Sequence, residues 1–368
     1  MDGRLNKMKI VYLADWDYTY KRGIEGDATD WNRLQYFCQY GGSDFLLMWG
    51  STRIGHVYKD DDRFNCIKQF NPDIIVIIEG SIPHRSPFYD AFFQTFAGKV
   101  PLVSLIDDYF HFKYITTSAF FPLIDAIIFT TRHSKYTLEF KKYKIVKALT
   151  PHINNDFFQN WKLPKKYDIM LYGSYNSPIK EENYSPPVHD YFNERGLTPP
   201  SEYDFYKFRT RLFHLIKNTP RYNVHHIETP IYGGNRCPIR TIQLSKLINQ
   251  AYLAVATPSI IDKAMNKYWE ILASGTIVLG SIPSDYRTEL QPWTIEVTDY
   301  MTDEQILSII DEALIDKKRI ELLGHTASEN IIRLYGNNNR TCYNTLESHL
   351  IDIVDKLGKS PVETIDNK

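Results

Sequence analysis

The stretch Asn266-Lys267-Tyr268-Trp269-Glu270-Ile271-Leu272-Ala273-Ser274-Gly275, running into Thr276-Ile277-Val278-Leu279-Gly280, constrains the fold of this chain more than any other. It predicts a short helix stopped by a glycine and followed at once by a buried strand. A glycine just past the last turn takes the left-handed conformation at little cost, and the β-branched run suits a parallel strand covered on both faces. The first turn of the helix offers free backbone N–H groups and the positive end of a dipole beside Lys267, with Asn266 and Tyr268 flanking it. Together these suit a phosphate or diphosphate. Glu270 lies three residues beyond Lys267 on nearly the same face, where a carboxylate accepts hydrogen bonds from the two hydroxyls of a ribose.

Upstream, short apolar strands alternate with amphipathic helices, the pattern of βαβ units stacked into a parallel sheet. Strands are predicted at 9–14, 44–49, 73–79, 101–106, 126–130 and 145–149, with helices between them such as 31–40 and 134–142. At 368 residues the chain exceeds what one core usually serves, so two domains are expected. The second strand set opens at Tyr167-Asp168-Ile169-Met170-Leu171-Tyr172-Gly173-Ser174, after a polar, proline-punctuated linker. Residues 175–203, with Pro186-Pro187 and Pro199-Pro200, read as an excursion from the core. Beyond it come a helix at 205–217 carrying Arg209 and Arg211, a strand at 224–227, a helix at 242–250 and a strand at 253–257. Helices at 304–316, 318–334 and 341–357 complete the chain.

The formal net charge of −1 gives no electrostatic footprint for nucleic acid or an anionic membrane. Cys38, Cys66, Cys237 and Cys342 are far apart, in neither a zinc spacing nor a disulfide framework. No stretch of 18 apolar residues occurs and the first residues lack a signal-peptide core, so a soluble cytoplasmic protein is expected. His225 and His226 adjoin a strand and point to opposite faces, so they cannot share one metal. Asp60-Asp61-Asp62 is a charge run at a helix start or turn.

The Lys-x-x-Glu pair before a small-Gly turn and an apolar strand resembles the nucleotide-binding helix of GT-B glycosyltransferases. The spore-protein glycosyltransferase-like group matches best, with the retaining glycosyl transferases group 1 next. The resemblance is strongest over 244–335 and extends as a weaker pattern over most of the remaining chain. It implies an α/β GT-B fold of two Rossmann-like doubly wound domains facing across a cleft. Residues 1–160 would bind the acceptor and 161–340 the nucleotide-sugar. A helix at 341–358 would cross back to the first domain, ahead of a flexible tail at 359–368.

What the resemblance implies for the site follows residue by residue. Lys267 would hold the diphosphate and Glu270 the ribose, with Asn266 and Tyr268 beside them. Gly173 and Ser174 would border the nucleotide pocket, and Arg209 is a further cation for it. Seven residues separate Asp262 from Glu270, the spacing of the paired acids in retaining enzymes, with Asp in place of the commoner Glu. On one continuous helix the two would lie about 80° apart, so their convergence requires Asp262 to precede the helix. In an open parallel sheet, ligands bind beyond the carboxyl ends of the strands. The loop 15–27, with Gly23 and Gly26, resembles the family's acceptor loop without its adjacent Gly-Gly, and Asp17 there is a candidate base. Group 1 transferases carry a histidine immediately after a strand where this chain has Asp107, with His111 four residues later. Asp107 or Asp108 would orient a donor hydroxyl or take a proton, or else cap a helix.

The function expected is transfer of a sugar from a nucleotide-diphosphate donor, UDP- or GDP-linked, to a glycan or other acceptor. Lys267 and the helix dipole supply the charge that a metal would otherwise bring, so no cofactor is required, and retention of configuration is favoured. The alternatives are an inverting transferase with Asp17 or Asp107 as base, a nucleotide-sugar epimerase, and a non-catalytic nucleotide- or glycan-binding protein.

Overall fold

Ile74, Ile75, Val76 and Ile77 are each fully buried, so the strand they form has apolar cover on both faces. In the computed structural model this run lies at the centre of a parallel sheet. The structure describes residues 8–15, 45–50, 60–78, 87–106, 118–142, 144–176, 178–180, 186–194, 196–227, 241–337, 339 and 341–358. The first unit contains β1 (Ile10–Asp15), β2 (Phe45–Gly50), α1 (Asp60–Phe70), β3 (Ile74–Ile78), α2 (Pro87–Phe96), β4 (Leu102–Ile106), β5 (Ala126–Phe129), α3 (Ser134–Lys141) and β6 (Ile145–Ala148). Every strand predicted in this half is present, shifted or trimmed by a residue. The helix expected at 31–40 lies outside the described residues. Asp60, Asp61 and Asp62 begin α1.

The sheet order is β2-β1-β3-β4-β5-β6, all parallel. The C-terminal helix Thr341–Leu357 belongs to this unit. Its Leu346, Leu350 and Ile353, spaced to share one helical face, pack in a cluster with Ile10, Tyr12, Val76, Val103 and Ile128. Lys147 and Asp352 pair at 2.5 Å, and the His349 ring hydrogen-bonds the Ala148 carbonyl at 3.0 Å. Aromatic residues fill the sheet's surroundings: Phe92, Phe93 and Phe96 of α2 are buried, with Phe93 stacked on Phe120 at 4.4 Å.

The second unit spans Pro151–Asn339. Residues 151–160 fall within it because their backbone and side chains bond its helices. The Ile153 N–H donates to Tyr335 O at 2.9 Å, and the Asn160 side chain meets His325 at 2.5 Å and Asn249 at 3.0 Å. The elements are β7 (Tyr167–Leu171), β8 (Pro178–Lys180), α4 (Pro186–Asn193), β9 (Glu202–Asp204), α5 (Lys207–Lys217), β10 (Val224–His226), α6 (Thr241–Asn249), β11 (Ala251–Val255), α7 (Lys267–Ala273), β12 (Ile277–Gly280), β13 (Thr294–Glu296), α8 (Asp303–Ile315) and α9 (Lys317–Tyr335). The parallel order β10-β7-β11-β12-β13 reverses direction between β7 and β11, which makes the carboxyl ends of those two strands the topological switch point.

The excursion at 175–203 is more ordered than its prolines suggest. β8 and β9 pair antiparallel, and Pro186-Pro187 opens α4, because proline costs nothing in the first turn, where the N–H has no intrahelical partner. Val188 and Phe192, one turn apart, are buried, and Phe192 packs edge-on to Tyr203 at 4.9 Å. His225 stacks on Tyr167 while His226 lies by Tyr175 and Phe213, so adjacent histidines do face opposite ways.

Helix α9 packs closely on the turn between α7 and β12. A Cβ on Gly324 would stand 2.6 Å from Gly275 O, and Ser328 Oγ donates to Ala273 O at 2.6 Å. Gly324→Ala, which in an open helix would stabilise by about 0.5–1 kcal/mol, is expected instead to cost about 1–3 kcal/mol through this collision. Urea unfolding of the variant checks the sign. No helix among the described residues is long and apolar enough to cross a membrane.

Candidate functional site

At the switch point the chain leaves β7 through Tyr172-Gly173-Ser174 and leaves β11 through Ala256-Thr257-Pro258-Ser259. One side chain ties the two exits together. Arg209, projecting from α5, donates from Nη1 to Ser174 O at 2.9 Å and from Nη2 to Thr257 O at 2.7 Å. Its guanidinium lies 4.0 Å from the Tyr206 ring centre and the residue is only 2% exposed. Lys267, from the first turn of α7, donates from Nζ to Tyr172 O and sits 4.1 Å from the centre of the Tyr172 ring. Gly173 has φ +87, and a Cβ there would collide with the Lys267 ammonium. Both the left-handed backbone and the close approach therefore require glycine. The N–H groups of Gly173 and Ser174 have no acceptor among the described residues.

Two buried cations thus stand beside one buried acid, Glu270, a turn further along α7. Burial, and next the neighbouring Arg209 charge, push the Lys267 ammonium well below the usual lysine range, while Glu270 opposes the shift. Arg209 is also lowered by burial, against the raising influence of Tyr206, Tyr268 and Tyr172. Arg209 Nε, Thr257 Oγ1 and Ser259 Oγ are buried and have no hydrogen-bond partner among the described residues. The region therefore carries positive charge and unused hydrogen-bonding capacity at the strand ends, where an open α/β sheet takes its ligands.

Asp262 lies in the turn before α7, not in the helix, at φ +61. Its carboxylate accepts from the Ser284 N–H at 3.0 Å and from the Ser284 hydroxyl, which fixes it beside the end of β12. Asn266 occupies the N-cap position with helical dihedrals and no side-chain capping bond, and its carbonyl accepts from the N–H groups of Trp269 and Glu270. Tyr268 is fully buried, and its hydroxyl donates to Ser281 O at 2.5 Å, with burial raising its pKa well above the ordinary phenol value. Asp17, Asp107, Asp108 and His111 lie outside the described residues. Tyr206, Thr257, Ser259 and Ser284 join the site without having been singled out from the sequence. The one signal for two of them is the polar Thr257-Pro258-Ser259 directly after an apolar strand. Among the described residues no group of three His, Cys, Asp or Glu is placed to hold a metal ion.

No protein-family model matches the chain, and a search of curated proteins finds no match. Solved structures do match. Sucrose-phosphate synthase from Thermosynechococcus elongatus superposes with a TM-score of 0.54 at 10% identity, over 95% of this chain and 99% of that one. A DNA-modifying β-glucosyltransferase, solved with and without its substrate uridine diphosphoglucose, gives 0.52 at 14% identity, over 95% and 100%. The T4 phage β-glucosyltransferase gives 0.50 at 13% identity, over 95% and 100%. The chain has a GT-B glycosyltransferase-like fold, built from two Rossmann-like α/β units.

Proposed function

We propose that the protein is a glycosyltransferase that moves a sugar from a nucleotide-diphosphate donor to a glycan or other acceptor. The observation that carries this reading is the group at the switch point of the second unit. Buried Lys267 and Arg209 stand behind the Gly173-Ser174 turn, with buried Glu270 one turn along α7. A fold shared with a glucosyltransferase whose substrate is uridine diphosphoglucose supports it. The diphosphate lies against the positive end of this group, Glu270 accepts from the ribose hydroxyls, and Asp262 faces the donor sugar.

In the reaction the bond from the anomeric carbon to the diphosphate oxygen breaks, its electron pair staying with the diphosphate, while the acceptor oxygen bonds to that carbon. Negative charge grows on the departing diphosphate, and the fixed charge of Lys267 and Arg209 offsets it without reorganisation. These cations support a metal-independent reaction with a UDP- or GDP-sugar. Configuration is retained, the departing diphosphate taking the acceptor proton. Were configuration inverted, Asp17 or Asp107 would act as the base.

The test is a thermal-shift panel of UDP, GDP, ADP, CMP and dTDP, with and without magnesium, repeated on Glu270→Ala. A ligand at 100 times its Kd should stabilise the folded state by about 2.7 kcal/mol. One diphosphate is expected to shift the unaltered protein regardless of magnesium and to lose its effect on Glu270→Ala. Absence of a shift with every nucleotide would reject the reading. Interconversion of two free nucleotide-sugars without acceptor would reassign the enzyme as an epimerase.

A further inference from the structure

We infer that Lys267 and Arg209 are positioning residues, serving the nucleotide's phosphates through the peptide groups of the β7 exit loop and not by touching them. The inference rests on the nucleotide-sugar reading above and assigns the contact to different atoms. Both cations already hold backbone carbonyls and are buried. Arg209 spends both terminal nitrogens on Ser174 O and Thr257 O, and its residue is 2% exposed. Lys267 spends its ammonium on Tyr172 O beneath the Tyr172 ring, and its residue is 8% exposed.

What these bonds do is orient the backbone. In a trans peptide the N–H points opposite to the preceding C=O, and the chain has no cis peptide among the described residues. With Tyr172 O drawn down to Lys267, the Gly173 N–H is turned the other way. With Ser174 O drawn down to Arg209, the Tyr175 N–H is turned away from the guanidinium. A left-handed residue among consecutive amides is how a backbone anion nest forms, and Gly173 is that residue at φ +87. Its N–H and that of Ser174 lack an acceptor among the described residues. The ligand-facing donors are therefore amides, and the cations behind them add charge and hold their direction.

The same contacts explain why the loop and the lysine are interdependent. A Cβ at residue 173 would lie 2.8 Å from Lys267 Cε and overlap its ammonium. Gly173→Ala and Lys267→Met thus damage one structure, the Gly173 amide, from its two sides. A lysine in direct contact with phosphate would be displaced by the same Cβ, so Arg209→Lys, a change that does not touch residue 173, is the variant that tells the two apart.

Titration calorimetry on Gly173→Ala, Lys267→Met, their double variant and Arg209→Lys tests the inference. The probe is UDP, or GDP if that is the nucleotide that shifts the melting temperature, with the matching nucleoside as the phosphate-free control. Each single variant is expected to weaken the diphosphate about tenfold or more and to leave the nucleoside unchanged. The double variant should bind within about twofold of the weaker single, the signature of a shared interaction. Multiplicative losses in the double variant, or a Gly173→Ala protein that binds like wild type while Lys267→Met does not, overturn the inference and leave the nucleotide site standing. If Lys267→Met fails to fold, Arg209→Lys decides alone. That change keeps the charge but loses the two-carbonyl grip, so wild-type affinity in it also overturns the inference. Failure of the unaltered protein to bind any nucleotide overturns the functional reading itself.

Discussion

Lys165→Met is expected to lose on the order of 3 kcal/mol of stability at pH 7, with a deficit that widens as the pH rises from about 8 towards 10.5. The Lys165 ammonium donates to Asn249 O, Ala251 O and Gly275 O, each at 2.8 Å. Those carbonyls belong to the end of α6, the start of β11 and the turn between α7 and β12, so one side chain gathers three elements at the amino ends of the strands. Methionine fills the same volume but leaves three inward carbonyls without their donor, at about 1–3 kcal/mol for each that water cannot reach. Burial lowers the Lys165 pKa to about 8 from 10.5, against the opposing charge of Glu321. Between those values the unfolded chain binds a proton that the folded one does not, so this group makes stability rise with pH. Two and a half units correspond to about 3 kcal/mol. The methionine variant loses that rise, so the gap between variant and wild type grows. Urea unfolding at pH 7, 8.5 and 10 measures it, and a gap that narrows with pH would mean that the three carbonyls hold the ammonium more strongly than burial disfavours it.

Lys165 also shows where reading the sequence stops. Strand positions were legible because a run such as Ile74 to Ile78 has no polar residue to place at a surface, and because parallel strands buried on both faces need such runs. The helix ending at Gly275 and the strand after it were legible for the same local reasons, and Gly275 does take φ +75. By contrast, nothing near Lys165 in sequence announces that its ammonium meets carbonyls more than eighty residues away. The same holds at the candidate site. Lys267 and Glu270 could be singled out by their spacing, but the direction of the Lys267 ammonium is set by Tyr172 O, 95 residues earlier. Arg209 looks like any helix-face arginine until β7 and β11 bring Ser174 O and Thr257 O to either side of it. The turn that frees Asp262 from α7 is the condition its spacing from Glu270 set, yet its anchor, Ser284, lies past β12 and carries no local signal. Pro186-Pro187 misled in the other direction, since a proline pair reads as a loop but is equally at home in a first helical turn.

Glu270→Gln is expected to destabilise the ligand-free protein by about 3–5 kcal/mol, the usual cost of removing one partner from a buried charged group. If Glu270 binds the ribose as proposed, the variant should also lower kcat/KM on the order of 100-fold, charge-assisted hydrogen bonds being worth about 1.5–3 kcal/mol each. The wild-type site already holds two cations against this one acid, and Glu270 is the sole influence raising the Lys267 pKa against burial and Arg209. Without it the ammonium is lost at a still lower pH. The penalty is full while Lys267 is charged in the folded variant and diminishes as rising pH neutralises it there, below the pH at which the unfolded chain titrates. The stability deficit of Glu270→Gln should therefore shrink with increasing pH, the reverse of Lys165→Met. Adding Lys267→Met removes the buried cation whose charge Glu270 favours, so the double variant should recover part of the stability. Activity should not return with it. Denaturant unfolding and steady-state rates on the two singles and the double therefore separate the partners' contribution to folding from their contribution to the reaction. A double variant that recovers both would leave Glu270 with a structural role alone and move the ribose contact elsewhere.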